Sequence, residues 1–243
     1  MSRVDTAGAR VERAELHLEG ADEHLELADE HYRPKAEADR RPGSHETHGY
    51  HWLAFTWSNL YFSCPDCNRS YKRTRFPLEH GSIALKTRKR PPGQEIPLLI
   101  EPAEENGVEF IEFVYARLKP SRGRLSDKPR GWQSTKHWFP RPRRGDVRGK
   151  YTIEICGLDD WDQIELYDDH VAKEVMPVVE DFKKAMATNT PIQGAFERGM
   201  RLLQRTKAYA GLSYDALVAL VPAKDLAPFG LRWPEPKDVG HTW

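Results

Sequence analysis

Three short groups of residues between positions 30 and 68 carry the side chains that can do chemistry: Glu30-His31, Trp57-Ser58-Asn59-Leu60 and Cys64-Pro65-Asp66-Cys67-Asn68. A carboxylate beside an imidazole offers a hard oxygen for a divalent cation and a base that is neutral near pH 7. Asn59 stands just ahead of the strand-like Leu-Tyr-Phe-Ser, where an amide side chain can hold a long loop by bonding its backbone groups. Asn68 falls one turn into a helix expected from Pro65 to about Lys72, with Ser63 available as its cap. Its amide oxygen can then reach a hard cation. Together these groups suit hydrolysis of a phosphodiester: His31 activates water while a metal stabilises charge on the phosphorus and the leaving oxygen.

The elements that must position them read as a mixture. Val11 to Ala28 gives an acidic helix with irregular apolar spacing, and Pro34 to Gly49 a polar loop. Trp52 to Cys64 is the most apolar and aromatic run of the chain, and Trp52, Phe55, Trp57 and Phe62 are expected in the core rather than stacked on bases. After the breaker Arg90-Pro91-Pro92-Gly93, residues 96–101 and 108–118 are predicted as strands. A long basic loop over 119–150 holds Trp132, Trp138 and Phe139, which could stack on bases or anchor the loop. Tyr151 to Cys156 is predicted as a further strand ending at Gly157. From Asp159 the pattern turns helical: Val171, Val175, Val178, Val179, Phe182 and Met186 recur at helical spacing. Further helices are expected around 196–209 and 214–221, before a proline-containing tail. This sets out four segments: 1–25 acidic, 26–82 a candidate catalytic core, 83–158 strand-rich, and 159–243 helical. The fold class expected is α+β.

Composition bounds the partners. The chain has 243 residues, 39% hydrophobic and 30% charged, enough apolar material for a core and too much for wholesale disorder. No apolar run approaches the length of a membrane span, and the first twenty residues carry no apolar signal region. Three cysteines fit a reducing, cytoplasmic setting. The net charge is zero, but it is a cancellation. Arg33 to Arg90 holds twelve basic and five acidic residues, and Arg117 to Lys150 twelve and two, whereas Glu154 to Asp181 holds ten acids and one lysine. Clustered Lys and Arg are the footprint of phosphate binding, so a polyanionic substrate is compatible with the zero sum.

The ordered set EHYRPK, HGYHWLAFTWSNL, SCPDCNRSYK and RFPL resembles the HNH (ββα-metal) endonucleases, and more narrowly the Septu-type and retron-associated HNH proteins of bacterial anti-phage modules. The similarity continues through PLLIEPAEENGVEFIEF and RGKYTIEICGLDD, covering roughly residues 29–160. It implies a ββα-metal module and position-by-position roles. His31 matches the general base, Glu30 the acidic metal ligand that is usually Asp, Asn59 the middle, structural Asn, and Asn68 the second protein ligand of the metal. The cofactor implied is Mg²⁺ or Mn²⁺, which keeps several waters and needs few protein ligands. The partners implied are nucleic acid, DNA foremost, and an ABC-type ATPase subunit. An RNase on the same scaffold and a non-catalytic nucleic-acid-binding or assembly subunit are the alternatives.

One departure concerns zinc. Many HNH proteins have an earlier CxxC that joins the later one around a structural Zn²⁺; here no cysteine precedes His31. Cys64 and Cys67 could bind zinc with two of His17, His24, His45, His48 or His51, or the module could stand without zinc on its aromatic run. Arg33, Lys35, Lys72, Arg73 and Arg75 are the candidate contacts to the nucleic-acid backbone.

Overall fold

The computed structural model describes residues 28–41, 48–63, 67–117 and 134–240. It is a mixture of helices and small strands, the α+β class the sequence suggests. The acidic segment 1–27 and residues 118–133 of the basic loop, with Trp132, lie outside that description. The chain divides into two compact units that are not collinear with the sequence: His24–Glu105 with Arg144–Leu158, and Asn106–Arg143 with Asp159–Trp243.

The first unit is built on an antiparallel pair, β1 (Ala28–His31) and β2 (Leu60–Ser63), with His31 opposite Leu60 and Glu30 opposite Tyr61. A π-helical turn, Cys67–Lys72, follows β2 within the short helix expected from Pro65 to about Lys72, whose first residues lie outside the described ones. The core consists of Tyr32, Ala38, Tyr50, Leu53, Phe76, Leu85, Leu99 and Ile155. Tyr32, Tyr50 and Phe76 meet edge to face at 5.2 and 5.5 Å, the favoured geometry for aromatic quadrupoles. Ile155 arrives on α1 (Val147–Cys156), which overturns the strand expected over Tyr151–Cys156. The β-branched composition of that run is outweighed by its ends. Asp146 caps the first turn, accepting from Gly149 N at 2.8 Å, and Gly157 takes the left-handed conformation at φ 66° and donates to Ile153 O. Residues 96–101 form no strand either; one isolated bridge joins Pro97 to Leu78. The two prolines at 97 and 102 remove donors a ladder would need.

The second unit begins with a 3₁₀ turn at Gly107–Glu109 and the antiparallel pair β3 (Ile111–Ala116) and β4 (His137–Pro142). β3 lies within the strand expected over 108–118, while β4 emerges from what reads as loop. Trp138 and Phe139 anchor it, buried in the core. Among the described residues five helices pack here: α2 (Trp161–His170), α3 (Met176–Thr188), α4 (Gln193–Leu202), α5 (Ala210–Leu220) and the short α6 (Ala223–Leu226). A π-helical turn, Val171–Val175, joins α2 to α3. The valine stripe is core as its spacing indicates: Val171, Val175, Val178, Val179 and Phe182 are all buried. Asp168 of α2 locks β4 in place, accepting from Trp138 N at 3.0 Å and holding His137 Nδ1 at 2.5 Å. Asp215 of α5 does the same for β3, accepting from Phe113 N at 2.8 Å while pairing with Arg143. No helix among the described residues is long and apolar enough to cross a membrane.

Candidate active site

The candidate site lies at the C-terminal end of β1. Alternation along a strand sends neighbouring side chains to opposite faces, so Glu30 and His31 reach different partners. Glu30 Oε1 accepts from Lys72 Nζ at 2.5 Å, and the same ammonium donates to His31 O at 2.8 Å. Lys72 thus ties the π-helical turn to the end of β1. The second carboxylate oxygen of Glu30 has no hydrogen-bond partner among the described residues.

His31 Nε2 lies 3.0 Å from Ala54 O. A carbonyl can only accept, so in the neutral ring Nε2 carries the hydrogen and Nδ1 holds the lone pair. The loop that supplies this carbonyl is held by two 3₁₀ turns, His51–Leu53 and Trp57–Asn59. Asn59 is buried and works on the backbone of Arg33: Oδ1 accepts from Arg33 N at 2.8 Å, and Nδ2 donates to Arg33 O at 3.0 Å and Leu53 O at 3.3 Å. The amide therefore joins the segment after His31 to the loop that orients its ring.

Beneath the site is a buried polar network that the sequence does not announce. Glu95 accepts from Arg33 Nε at 2.7 Å, Tyr50 OH at 2.6 Å and Leu85 N at 2.9 Å. Arg40 Nε donates to Tyr50 OH at 3.0 Å. Burial, then the Glu95 carboxylate, pushes the Tyr50 hydroxyl far above its ordinary range, and burial does the same to Tyr32. Both stay protonated donors; Tyr32 uses its hydroxyl on Leu99 O at 2.7 Å.

The five expected phosphate contacts divide. Lys35 and Arg73 are exposed, and Arg75 is half-buried with a hydrogen bond to Ile155 O at 3.2 Å. Arg33 and Lys72 are buried against Glu95 and Glu30, so their charges hold the scaffold together instead of facing solvent. The aromatic run departs from expectation as well. Trp52 packs half-buried against the core, but Phe55 is 97% exposed and Trp57 70%. The backbone of Asn68 and Cys67 belongs to the π-helical turn; their side chains, that of Phe62 and all of Cys64 lie outside the described residues. Among the zinc candidates, His17, His24 and His45 also lie outside, and His48 and His51 are exposed. The described residues contain no group of three or more His, Cys, Asp or Glu able to hold a metal. Cys156 is no ready ligand either, since burial pushes its thiol up to about 11.

One stretch of 65 residues is 45% identical to the Septu protein PtuB of Bacillus mycoides (strain KBAB4). That stretch is 27% of this chain and 22% of the relative, so the chain spans less than a quarter of that protein's length. No family model and no solved structure matches the chain.

Proposed function

We propose that the chain is a metal-dependent nuclease of the HNH type that hydrolyses nucleic-acid phosphodiester bonds, DNA foremost, as the effector subunit of an anti-phage defence complex. The observation that carries the chemistry is the His31–Ala54 hydrogen bond, because it puts the hydrogen on Nε2 and leaves the Nδ1 lone pair without a hydrogen-bond partner among the described residues. The defence setting rests on the similarity to the Septu protein PtuB. An ABC-type ATPase is the partner this setting suggests.

Glu30 and Asn68 are the residues that would hold the metal. A carboxylate with one oxygen held by Lys72 and the other without a partner among the described residues suits a hard cation that keeps most of its waters. When bound, Mg²⁺ or Mn²⁺ supplies charge for the developing phosphorane and leaving oxygen. The chain's own residues do the rest. His31 Nδ1 takes the proton of the attacking water, and Ala54 O stabilises the imidazolium that results through the Nε2 hydrogen. Asn59 keeps carbonyl and imidazole in register. Lys72 orients the Glu30 carboxylate and fixes the backbone of His31. Lys35 and Arg73, both exposed, are the contacts on this side for the phosphate chain.

A second reading, a non-catalytic nucleic-acid-binding subunit, is favoured by one observation: the ion pair with Lys72 already neutralises Glu30. A plasmid-nicking assay with Mg²⁺ or Mn²⁺ separates the two, with wild type beside His31→Ala and Asn68→Ala, and with single-stranded DNA and tRNA offered in parallel. Cleavage lost in both variants supports the nuclease. Wild-type protein, alone and with its ATPase partner, that leaves every substrate intact sinks it; tRNA cut in preference to DNA selects the RNase.

A further inference from the structure

Beside the candidate site stands a pair of rings that the fold leaves in solvent. Phe55 and Trp57 flank Thr56 on the loop whose Ala54 carbonyl holds His31. This loop is not slack. Leu53 N bonds Tyr50 O at 2.8 Å, Ala54 N bonds His51 O at 3.2 Å, Thr56 N bonds Leu53 O at 3.0 Å, and Asn59 N bonds Thr56 O at 2.8 Å. Leu53 and Asn59 are buried as its anchors. The rings are therefore displayed on a fixed backbone, which lowers the entropy lost when something stacks on them.

The same loop is fastened to a strongly cationic turn. Lys86, Thr87, Arg88, Lys89 and Arg90 are all exposed, and Trp52 Nε1 donates to Lys89 O at 2.8 Å. The turn is closed by Lys89 N on Lys86 O at 3.0 Å, with Arg88 in the left-handed region at φ 65°. None of its four cationic side chains pairs with a carboxylate of the described residues. In the same unit Arg33 and Lys72 are neutralised internally, so these four charges stand out among the described residues as exposed and without a carboxylate partner.

Cations for phosphates beside bare aromatic faces for bases describe one ligand class. We infer that the Phe55–Trp57 loop and the Lys86–Arg90 turn form a platform for single-stranded nucleic acid, with phosphates on the turn and unstacked bases on the rings. The inference rests on the nuclease reading of the adjacent site and names the form of substrate it takes. Duplex keeps its base faces stacked and offers the platform only phosphates, so single strands bind in preference.

The test uses the full chain in EDTA, which removes cleavage from the measurement, and reads anisotropy of labelled oligothymidylate and of a hairpin duplex across a salt series. Wild type binds the single strand more tightly. Phe55→Ala with Trp57→Ala weakens it about tenfold or more while changing duplex affinity little. Trp57→Phe, which keeps a ring, restores most of the loss. Alanine at Lys86, Arg88, Lys89 and Arg90 flattens the slope of log affinity against log salt by roughly 2 to 3. Circular dichroism confirms that these surface variants remain folded. The platform is overturned if the double aromatic variant binds single strand as wild type does, if duplex is preferred, or if no oligonucleotide binds. It is also overturned if the double variant loses a protein partner while its oligonucleotide affinity stays intact. A wild type that binds in the expected way yet cleaves nothing with Mg²⁺ or Mn²⁺, alone and with its ATPase partner, refutes the catalytic reading and leaves the platform standing.

Discussion

Asn59 closes on both backbone groups of Arg33, accepting from its N–H at 2.8 Å and donating to its carbonyl at 3.0 Å. Arg33 is itself buried, so water cannot replace either bond. Asn59→Ala should cost about 2–4 kcal/mol in urea unfolding, the penalty of two orphaned backbone groups. Asn59→Asp keeps the acceptor but sets a buried carboxylate oxygen against the carbonyls of Arg33 and Leu53, and should be no more stable than alanine near neutral pH. Both should lower cleavage, since the loop that orients His31 loosens. A variant as stable as wild type would remove Asn59 from this role.

Lys72 and Glu30 should prove energetically coupled. Their side chains are only 9% and 14% exposed, so Lys72→Met leaves a poorly solvated carboxylate and should cost about 2–4 kcal/mol. Adding Glu30→Gln to it should recover part of that loss, a non-additivity read from a double-mutant cycle. The metal role has its own readout. A divalent cation at a hundred times its dissociation constant should raise wild-type stability by about 2.7 kcal/mol and leave Glu30→Gln unmoved.

Glu95 receives three donors with its side chain fully enclosed. Glu95→Gln replaces an acceptor oxygen by a donor and leaves Arg33 without its counter-charge, a change expected to cost about 3–5 kcal/mol. Replacing both partners, Arg33→Met with Glu95→Leu, should be milder than Glu95→Gln alone. Equal losses would show that the pair does not act as a unit.

Gly49 has no room for a side chain. Its N–H donates to Ala36 O at 2.8 Å, and a β-carbon there would stand 2.6 Å from Pro34 O and 2.7 Å from the carbonyl carbons of Lys35 and Ala36. All three are backbone atoms and cannot swing aside. Gly49→Ala should therefore lower the melting temperature sharply, whereas Gly107→Ala, where the added carbon meets nothing within 4 Å, should not.

His170, in the helical unit, should make stability fall in mild acid. Burial lowers its pKa, against the pull of Glu174 and Asp169, while its ring bonds Ser213 Oγ at 2.8 Å. The unfolded chain takes up the proton at about pH 6.5, before the folded one does. Below that pH the unfolded state binds more protons, so stability is lost as pH falls towards the folded value and is fully present above it. His170→Gln, which keeps a polar partner for Ser213, should show a flatter decline from pH 7.5 to 5. Parallel curves would rule this out.

Periodicity carried the helical unit: the stripe from Val171 to Phe182 needs only helical spacing to be read as core, and it is core. Tyr151–Cys156 misled because a mostly β-prone run says less than the Asp146 cap and Gly157 that bound the helix. The aromatic run misled for a different reason. Hydrophobicity says that a ring favours burial, not that this fold has room, and Phe55 and Trp57 remain outside. The buried position of Arg33 was invisible, since its partner Glu95 lies 62 positions away and nothing local marks either residue as interior. Types and order nominate the candidate residues; what holds them in place leaves no such sign. The Ala54 carbonyl that fixes His31 belongs to a backbone, and backbone groups leave no trace in composition.

The site-bearing unit is closed by a segment that arrives late. Ile155 completes its core, Thr152 Oγ1 accepts from Ile100 N at 3.0 Å, and Arg148 forms a two-armed pair with Glu105. During synthesis, the candidate groups between residues 30 and 68 leave the ribosome before these supports do. The nascent chain thus carries the candidate side chains before the walls that align them, so the order of translation itself postpones assembly of the site. For the same reason a fragment ending at Glu105 would carry the motif and lack its closing helix.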